Sequence, residues 1–238
     1  MATHTNNHST TFHNAAHNNQ QKNNVMRRLR IVGIFAVIII AIILIALGIA
    51  SHSSVSTKDL PILLVGKVGS TDRWEGNNLS SVLIVEYSDY QCPACAAYNT
   101  LVVKAVQNKG SQFQFVYRNF PLKLIHAHAV ESAQAAEAAG LQGKFWEMHD
   151  LLFERQTEWE SAGNVETIFV TYANQLGLNS TQFITDLHSP AVAAKVENDY
   201  LSGTRYNIQA TPTFYINGQP LKFSTYEELA AAIDRYHK

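Results

Sequence analysis

The stretch Ser81 to Cys95, SVLIVEYSDYQCPAC, decides how this chain is read. Ser81 to Tyr87 is a near-continuous apolar run rich in Val and Ile, the pattern of a central strand buried on both faces of a sheet. A CxxC pair follows directly. From Pro93 to Asn108, Ala, Tyr, Leu and Val recur at helical intervals, and Lys109-Gly110 supplies a helix ending. The two cysteines therefore sit where a buried strand passes into a helix. There the unpaired N–H groups and the helix dipole stabilise an anion, so Cys92 is expected to ionise near or below neutral pH and act as an exposed nucleophile. Cys95, one turn into the helix, is expected to be shielded yet close enough to attack a mixed disulfide on Cys92, which makes it the resolving thiol. Pro93 suits the first turn because it lacks an N–H that would be unpaired there, and Ala94 completes the motif.

The chain has 238 residues and only these two cysteines. That is too few, and too close together, for a disulfide scaffold holding distant loops. A purely structural disulfide across two residues closes a loop too small to stabilise much. A zinc site needs two more ligands, and His126, His128 and His149 lack the repeated knuckle spacing, so no metal and no other cofactor is expected. The formal charge of −1 averages a basic, acid-free N-terminal quarter against a mildly acidic remainder and does not imply nucleic acid.

Outward toward the N-terminus the composition changes twice. Residues 1–24 are mostly Asn, His, Thr, Gln and Ala with one aromatic, Phe12, and one charge, Lys22, so residues 1–30 are read as a disordered cytoplasmic tail. Its histidines, His4, His8, His13 and His17, are irregularly spaced and are given no function. Residues 31–50 are twenty positions without a charge, enough at about 1.5 Å per residue for a transmembrane helix in contact with membrane lipid. Lys22, Arg27, Arg28 and Arg30 precede the span and no acid appears before Asp59, which predicts a cytoplasmic N-terminus and an extracytoplasmic remainder. The alternative is a cleaved signal peptide, with Gly48 and Ala50 as small residues before Ser51; the length of the span favours an uncleaved signal-anchor. Residues 51–59 read as a polar linker and residues 60–238 as the folded domain.

Outward toward the C-terminus, Phe113 to Tyr117 alternates as a strand. From about His126 to Tyr206 the chain is Ala-, Glu- and Gln-rich with helical spacing. Breaks at Gly140, Gly143, Gly163, Gly177 and Ser189-Pro190 predict four or five helices, with Ser189 an N-cap and Pro190 the first helical residue. Thr213 to Asn217 reads as a strand, Asn217-Gly218 as a hairpin turn and Leu221 to Phe223 as its partner. Ser224 and Glu227 have capping-box spacing for a last helix. The order is a βαβ unit and a ββα unit, an α/β fold with an all-helical insertion at about 122–206.

Pro212 stands immediately before a predicted strand. Proline cannot donate to a sheet ladder, so it is read as a cis-proline candidate; an ordinary trans-proline at a strand start is the alternative that base rates favour. A cis bond would turn the Thr211 backbone toward the cysteines, leaving its N–H and C=O to pair with an extended substrate segment.

These motifs together, VEYSDYQCPAC, RNFPL at Arg118 to Leu122, KFWEMHDLLFE within the Ala-rich helical block, and ATPTFYING, resemble the DsbA-like branch of the thioredoxin superfamily from about Ser81 to the end. The resemblance implies a thioredoxin fold with the helices inserted as a lid, Cys92 nucleophilic, Cys95 resolving, and a cis Thr211-Pro212 bond beside them. It also implies that Glu86, six residues before Cys92, is a buried acid that accepts the Cys95 proton; a lone carboxylate in an apolar strand needs a reason, although an edge-facing solvated Glu fits too. Asp89 reads as a turn residue. Ala94 stands where the most oxidising members have a histidine. Potentials in this superfamily span about 150 mV, about 7 kcal/mol for two electrons, so spacing does not set the direction. The expected topology favours a disulfide oxidase acting on exported protein thiols and recycled by a membrane redox partner. The rivals are an extracytoplasmic reductase or isomerase, and a non-catalytic chaperone-like peptide-binding module.

Overall fold

The structure, a computed structural model, describes residues 67–237. The tail, the apolar span, the linker and residues 60–66 of the expected domain lie outside the described residues. Among those described, no helix is long and apolar enough to cross a membrane.

The strand read at 81–87 is β2 (Leu83–Ser88), and it lies at the middle of a five-stranded sheet of order β1-β3-β2-β4-β5. Strand β3 (Gln114–Asn119) runs parallel to β2, and helix α1 (Pro93–Lys109) makes the crossover between them. On the other side β4 (Thr213–Ile216) pairs antiparallel with β2, and β5 (Gln219–Leu221) with β4. Odd and even residues of β2 serve two different cores, which is why the run is almost wholly apolar. Ile84 joins Phe115, Phe214 and the α1 residues on one face, whereas Val85 and Tyr87 join Val116, Phe120 and Ile208 on the other.

Strand β1 (Arg73–Gly76) was not anticipated. Its four residues alternate half-buried and exposed, include Arg73 and Glu75, and carry no apolar period. It is a strand because β3 offers an open edge for antiparallel pairing.

The helical block is confirmed as an insertion but divides differently. It has six helices: α2 (Ala129–Leu141), α3 (Phe145–Glu154), α4 (Gln156–Trp159), α5 (Val165–Gln175), α6 (Ser180–Leu187) and α7 (Pro190–Arg205). The breaks expected at Gly143, Gly163, Gly177 and Ser189-Pro190 fall between helices, and Ser189 Oγ accepts from Val192 N as an N-cap. Gly140 is no break: it lies inside α2, where a Cβ would meet the Arg73 guanidinium at 2.8 Å. The missing side chain leaves room for Arg73 to reach the buried Glu137. The additional break, at Arg155 between α3 and α4, carries no glycine or proline to announce it.

The closing ββα unit needs two small corrections. Asn217 and Gly218 both have positive φ, 47° and 79°, as an Asn-Gly hairpin turn requires. With a two-residue turn the partner strand must start at once, so β5 is 219–221 and not 221–223. The last helix, α8 (Tyr226–Tyr236), is capped one residue later than predicted: Thr225 Oγ1 accepts from Glu228 N, and Glu228 Oε2 accepts from Ser224 N. The cap is therefore Thr225 in place of Ser224, because the chain stays extended through Thr225.

Candidate active site

Cys92 is the N-cap residue of α1, with extended backbone (φ −78°, ψ 120°), and Pro93 is the first helical residue. The pairing of β4 with β2 places Thr213 opposite Tyr87, so the residues just before β4 arrive beside the turn from β2 into α1. The Thr211-Pro212 bond is cis. The Cys92 thiol donates toward Thr211 O at 3.5 Å, so that carbonyl faces the sulfur directly.

The two sulfurs are not bonded to each other, and their surroundings differ. Cys92 is 8% exposed and Cys95 0%, so Cys92 offers a narrow access and is less open than the sequence suggested. The Cys92 thiol is pushed down to about 5, first by a hydrogen bond from Cys95, then by Thr211 and the N–H groups of Cys95 and Ala94 in the first turn, against the opposing effect of burial. Cys95 is driven far up, chiefly by burial, then by holding that same hydrogen bond, with the charge of Glu86 adding to it. The hydrogen bond between the two sulfurs couples their shifts, with burial the larger cause at Cys95.

Glu86 is 1% exposed, which excludes the solvated alternative. It lies on the α1 side of β2, and burial pushes its carboxyl up to about 8, with the Ser88 hydroxyl opposing and Cys92 adding. Its Oε1 finds no hydrogen-bond partner among the described residues. A carboxyl in this state is neutral at pH 7 and holds a proton near the Cys95 sulfur.

Asp89 is indeed a turn residue and more. Its Oδ1 accepts from Gln91 N at 2.8 Å, and its Oδ2 accepts from Leu122 N at 2.8 Å and faces His126 Nδ1 at 2.7 Å, tying the active-site turn to the loop after β3. The three histidines weighed as metal ligands go separate ways. His126 is with Asp89, His128 with Glu131 and Ala162 O, and His149 with Tyr90 and Asn99. Among the described residues no three ligating side chains gather in one place.

Sequence reasoning missed the side chains that the insertion sends to the turn. Gln156 Nε2 donates to Tyr90 O at 2.6 Å and to Cys92 O at 3.1 Å, and Gln91 bridges Glu160 O and His128 N. Gln156 had no signal in the sequence. Gln91 had only its place beside Cys92.

Two cysteines thus stand at a helix N-terminus with a cis-proline bond alongside, in a fold of the thiol-disulfide oxidoreductases of the thioredoxin superfamily. The thioredoxin family model Thioredoxin_4 matches residues 69–235, and the chain belongs to that family. Its structural neighbours are DsbA-like. Oxidised BdbD from Bacillus subtilis is 26% identical with TM-score 0.62, covering 70% of this chain and 93% of that one. A thioredoxin-like oxidoreductase from Silicibacter pomeroyi DSS-3 is 27% identical with TM-score 0.60, over 70% and 92%. The thiol-disulfide exchange protein α-DsbA2 from Wolbachia pipientis, 16% identical over 76% of this chain and 95% of its own, shares the fold with TM-score 0.64. Among curated relatives, the Na(+)/H(+) antiporter NhaA of Herminiimonas arsenicoxydans is 36% identical over 71% of this chain and 26% of that protein. NhaA 1 of Mycolicibacterium vanbaalenii is 34% identical over 62% and 23%. The chain thus spans about a quarter of the length of the curated relatives it matches.

Proposed function

We propose that this protein is a membrane-anchored disulfide oxidase, in which Cys92 and Cys95 cycle between dithiol and disulfide and introduce disulfides into exported proteins. The observation that carries the reading is the contrast between the sulfurs: Cys92 is held down to about 5 at the end of α1, while Cys95 beneath it is buried and pushed up. A stabilised Cys92 thiolate favours the reduced pair, and so makes the disulfide a strong acceptor of electrons, even with Ala94 between the cysteines.

In the reaction, a substrate thiolate attacks Cys92 Sγ of the disulfide, the Cys92–Cys95 bond breaks, and Cys95 leaves with the electron pair. Glu86 is the group beneath it that holds a proton at neutral pH and hands it over. A second substrate thiolate then attacks the substrate sulfur of the mixed disulfide, and Cys92 departs as a thiolate. The substrate loses two electrons and the pair gains them; one proton stays on Cys95 and the other goes to solvent. Thr211 and Pro212 border Cys92 and form the dock for an extended substrate segment. The pair itself is the redox centre, and a membrane redox partner takes the two electrons to restore the disulfide.

Placement outside the cytoplasm is supported by the basic residues before the apolar span 31–50. Work at a membrane surface is supported by relatives in which a similar segment is part of an antiporter chain. Trapping in cells tests the assignment: the full chain with Cys95→Ala should accumulate mixed disulfides with exported proteins, and Cys92→Ala none. Equilibration of the full chain with glutathione buffers tests the direction, and a potential near thioredoxin's, about −270 mV, would make it a reductase.

A further inference from the structure

Residues Tyr90 to Cys92 join β2 to α1. Within the frame, Gln91 N donates to Asp89 Oδ1, Cys92 N to Asp89 O and Ala96 N to Cys92 O. Further holds come from the insertion. Gln156, buried in the single turn α4, donates to the carbonyls on either side of Gln91, those of Tyr90 and Cys92. His149, buried in α3, reaches Tyr90 Oη through Nδ1 at 2.9 Å and Asn99 Oδ1 through Nε2 at 3.1 Å. Asn99 lies on α1, one turn beyond Cys95. An amide oxygen only accepts, so Asn99 Oδ1 takes its hydrogen from His149 Nε2. Nε2 of His149 then carries the proton, and Nδ1 accepts from the Tyr90 hydroxyl. The ring is neutral with both nitrogens engaged, and burial, which holds its pKa down to about 3, keeps it so.

We propose that Gln156 and His149 are positioning residues through which the helical insertion sets the reactivity of Cys92. The direction of a carbonyl sets its residue's ψ, so Gln156, a second donor on Cys92 O beside Ala96 N, narrows how the Cys92 side chain stands over the N–H groups of Ala94 and Cys95. His149 fixes the other coordinate by joining the Tyr90 side chain to α1. Removing either clamp lets the sulfur swing away from donors that favour its ionised form. Neither residue touches the reacting atoms.

The inference rests on the redox reading above, and one experiment separates the two. The rate of iodoacetamide alkylation of Cys92 is followed against pH in the reduced full chain. Gln156→Met, which keeps the shape and removes the donor, should move the midpoint up by about one pH unit, so that alkylation at about pH 5 falls roughly fivefold. His149→Phe should move it the same way, and His149→Gln, which can both accept and donate, should bring it back. If Gln156→Met does not fold, Gln156→Asn, too short to reach both carbonyls, takes its place with the same expectation. Leu187→Ala, which weakens the insertion at a buried side chain of α6, should leave the midpoint where it is. Unchanged midpoints in the Gln156 and His149 variants, or an equal rise in Leu187→Ala, overturn the inference alone. A wild-type midpoint at the ordinary thiol value of about 8.5 overturns the redox reading itself.

Discussion

The strand–helix frame and the helical insertion contribute to one site in different ways. The frame supplies the two sulfurs and the proline: β2 ends at the turn, α1 begins at Cys92, and β4 brings Pro212 alongside. The insertion supplies no sulfur and no proline, yet its α3 and α4 hold the backbone that carries Cys92. On the proposed reading the frame sets which chemistry is available, and the insertion the geometry in which it occurs. A polar seam joins them. Glu137 of α2 is buried against Arg73 of β1 at 2.7 Å and Lys195 of α7 at 3.5 Å, and it accepts from Asn119 of β3 at 3.0 Å.

This division of labour can be broken from either side. The largest effect belongs to the frame: Cys92→Ala should reduce dithiol oxidation to the uncatalysed rate while leaving the circular dichroism spectrum unchanged. Residual turnover in that variant would remove Cys92 from the chemistry.

Glu86 comes next, and it sharpens the frame's part through pH. Its carboxyl is raised from 4.5 to about 8 in the folded protein, so folding stability contributed by the neutral group is present below 4.5 and is lost as pH rises to about 8. Cys92 works in the opposite sense: lowered from 9 to about 5, its contribution is present above 9 and is lost as pH falls through about 5. The difference between wild type and Glu86→Gln isolates Glu86. At about 1.4 kcal/mol per pH unit it should change by on the order of 4 kcal/mol between about pH 4.5 and pH 8, as read by urea unfolding of the reduced protein. Parallel curves would mean that Glu86 is ionised when folded.

The seam should yield a smaller change. Glu137→Ala takes the carboxylate from half-buried Arg73 and buried Asn119, while Lys195 keeps Asp199, and should cost about 2 kcal/mol of stability in the same assay. If it instead altered the alkylation midpoint of Cys92 without loss of stability, the seam would belong to the site. The smallest effect lies within the insertion, where Ser189→Ala removes the α7 N-cap and should cost about 1 kcal/mol with activity untouched.

The two regions were also unequally legible. The frame announces itself because a strand buried on both faces must be apolar throughout, and because a helix start, a helix stop and an Asn-Gly turn each need particular residues. Ser81 to Tyr87, Pro93, Lys109-Gly110 and Asn217-Gly218 were read within a few residues of where they lie. Strand β1 was not, since RWEG forms a strand only because β3 leaves an edge open. In the insertion the helices that end in glycine or begin at Ser189-Pro190 were readable. The α3–α4 break at Arg155 was not, and Gly140 misled because its small size serves Arg73 and not a turn.

By itself the sequence determined the frame, the dithiol at a helix N-terminus and the proline that faces it, because these depend on local backbone chemistry and on periodicity along the chain. Tertiary structure alone decided that Glu86 is buried and neutral, that Cys92 is nearly covered, and that Gln156 and His149 grip the turn. Those facts depend on which groups are brought together from 50 to 66 residues away, and on how much water is excluded when they meet.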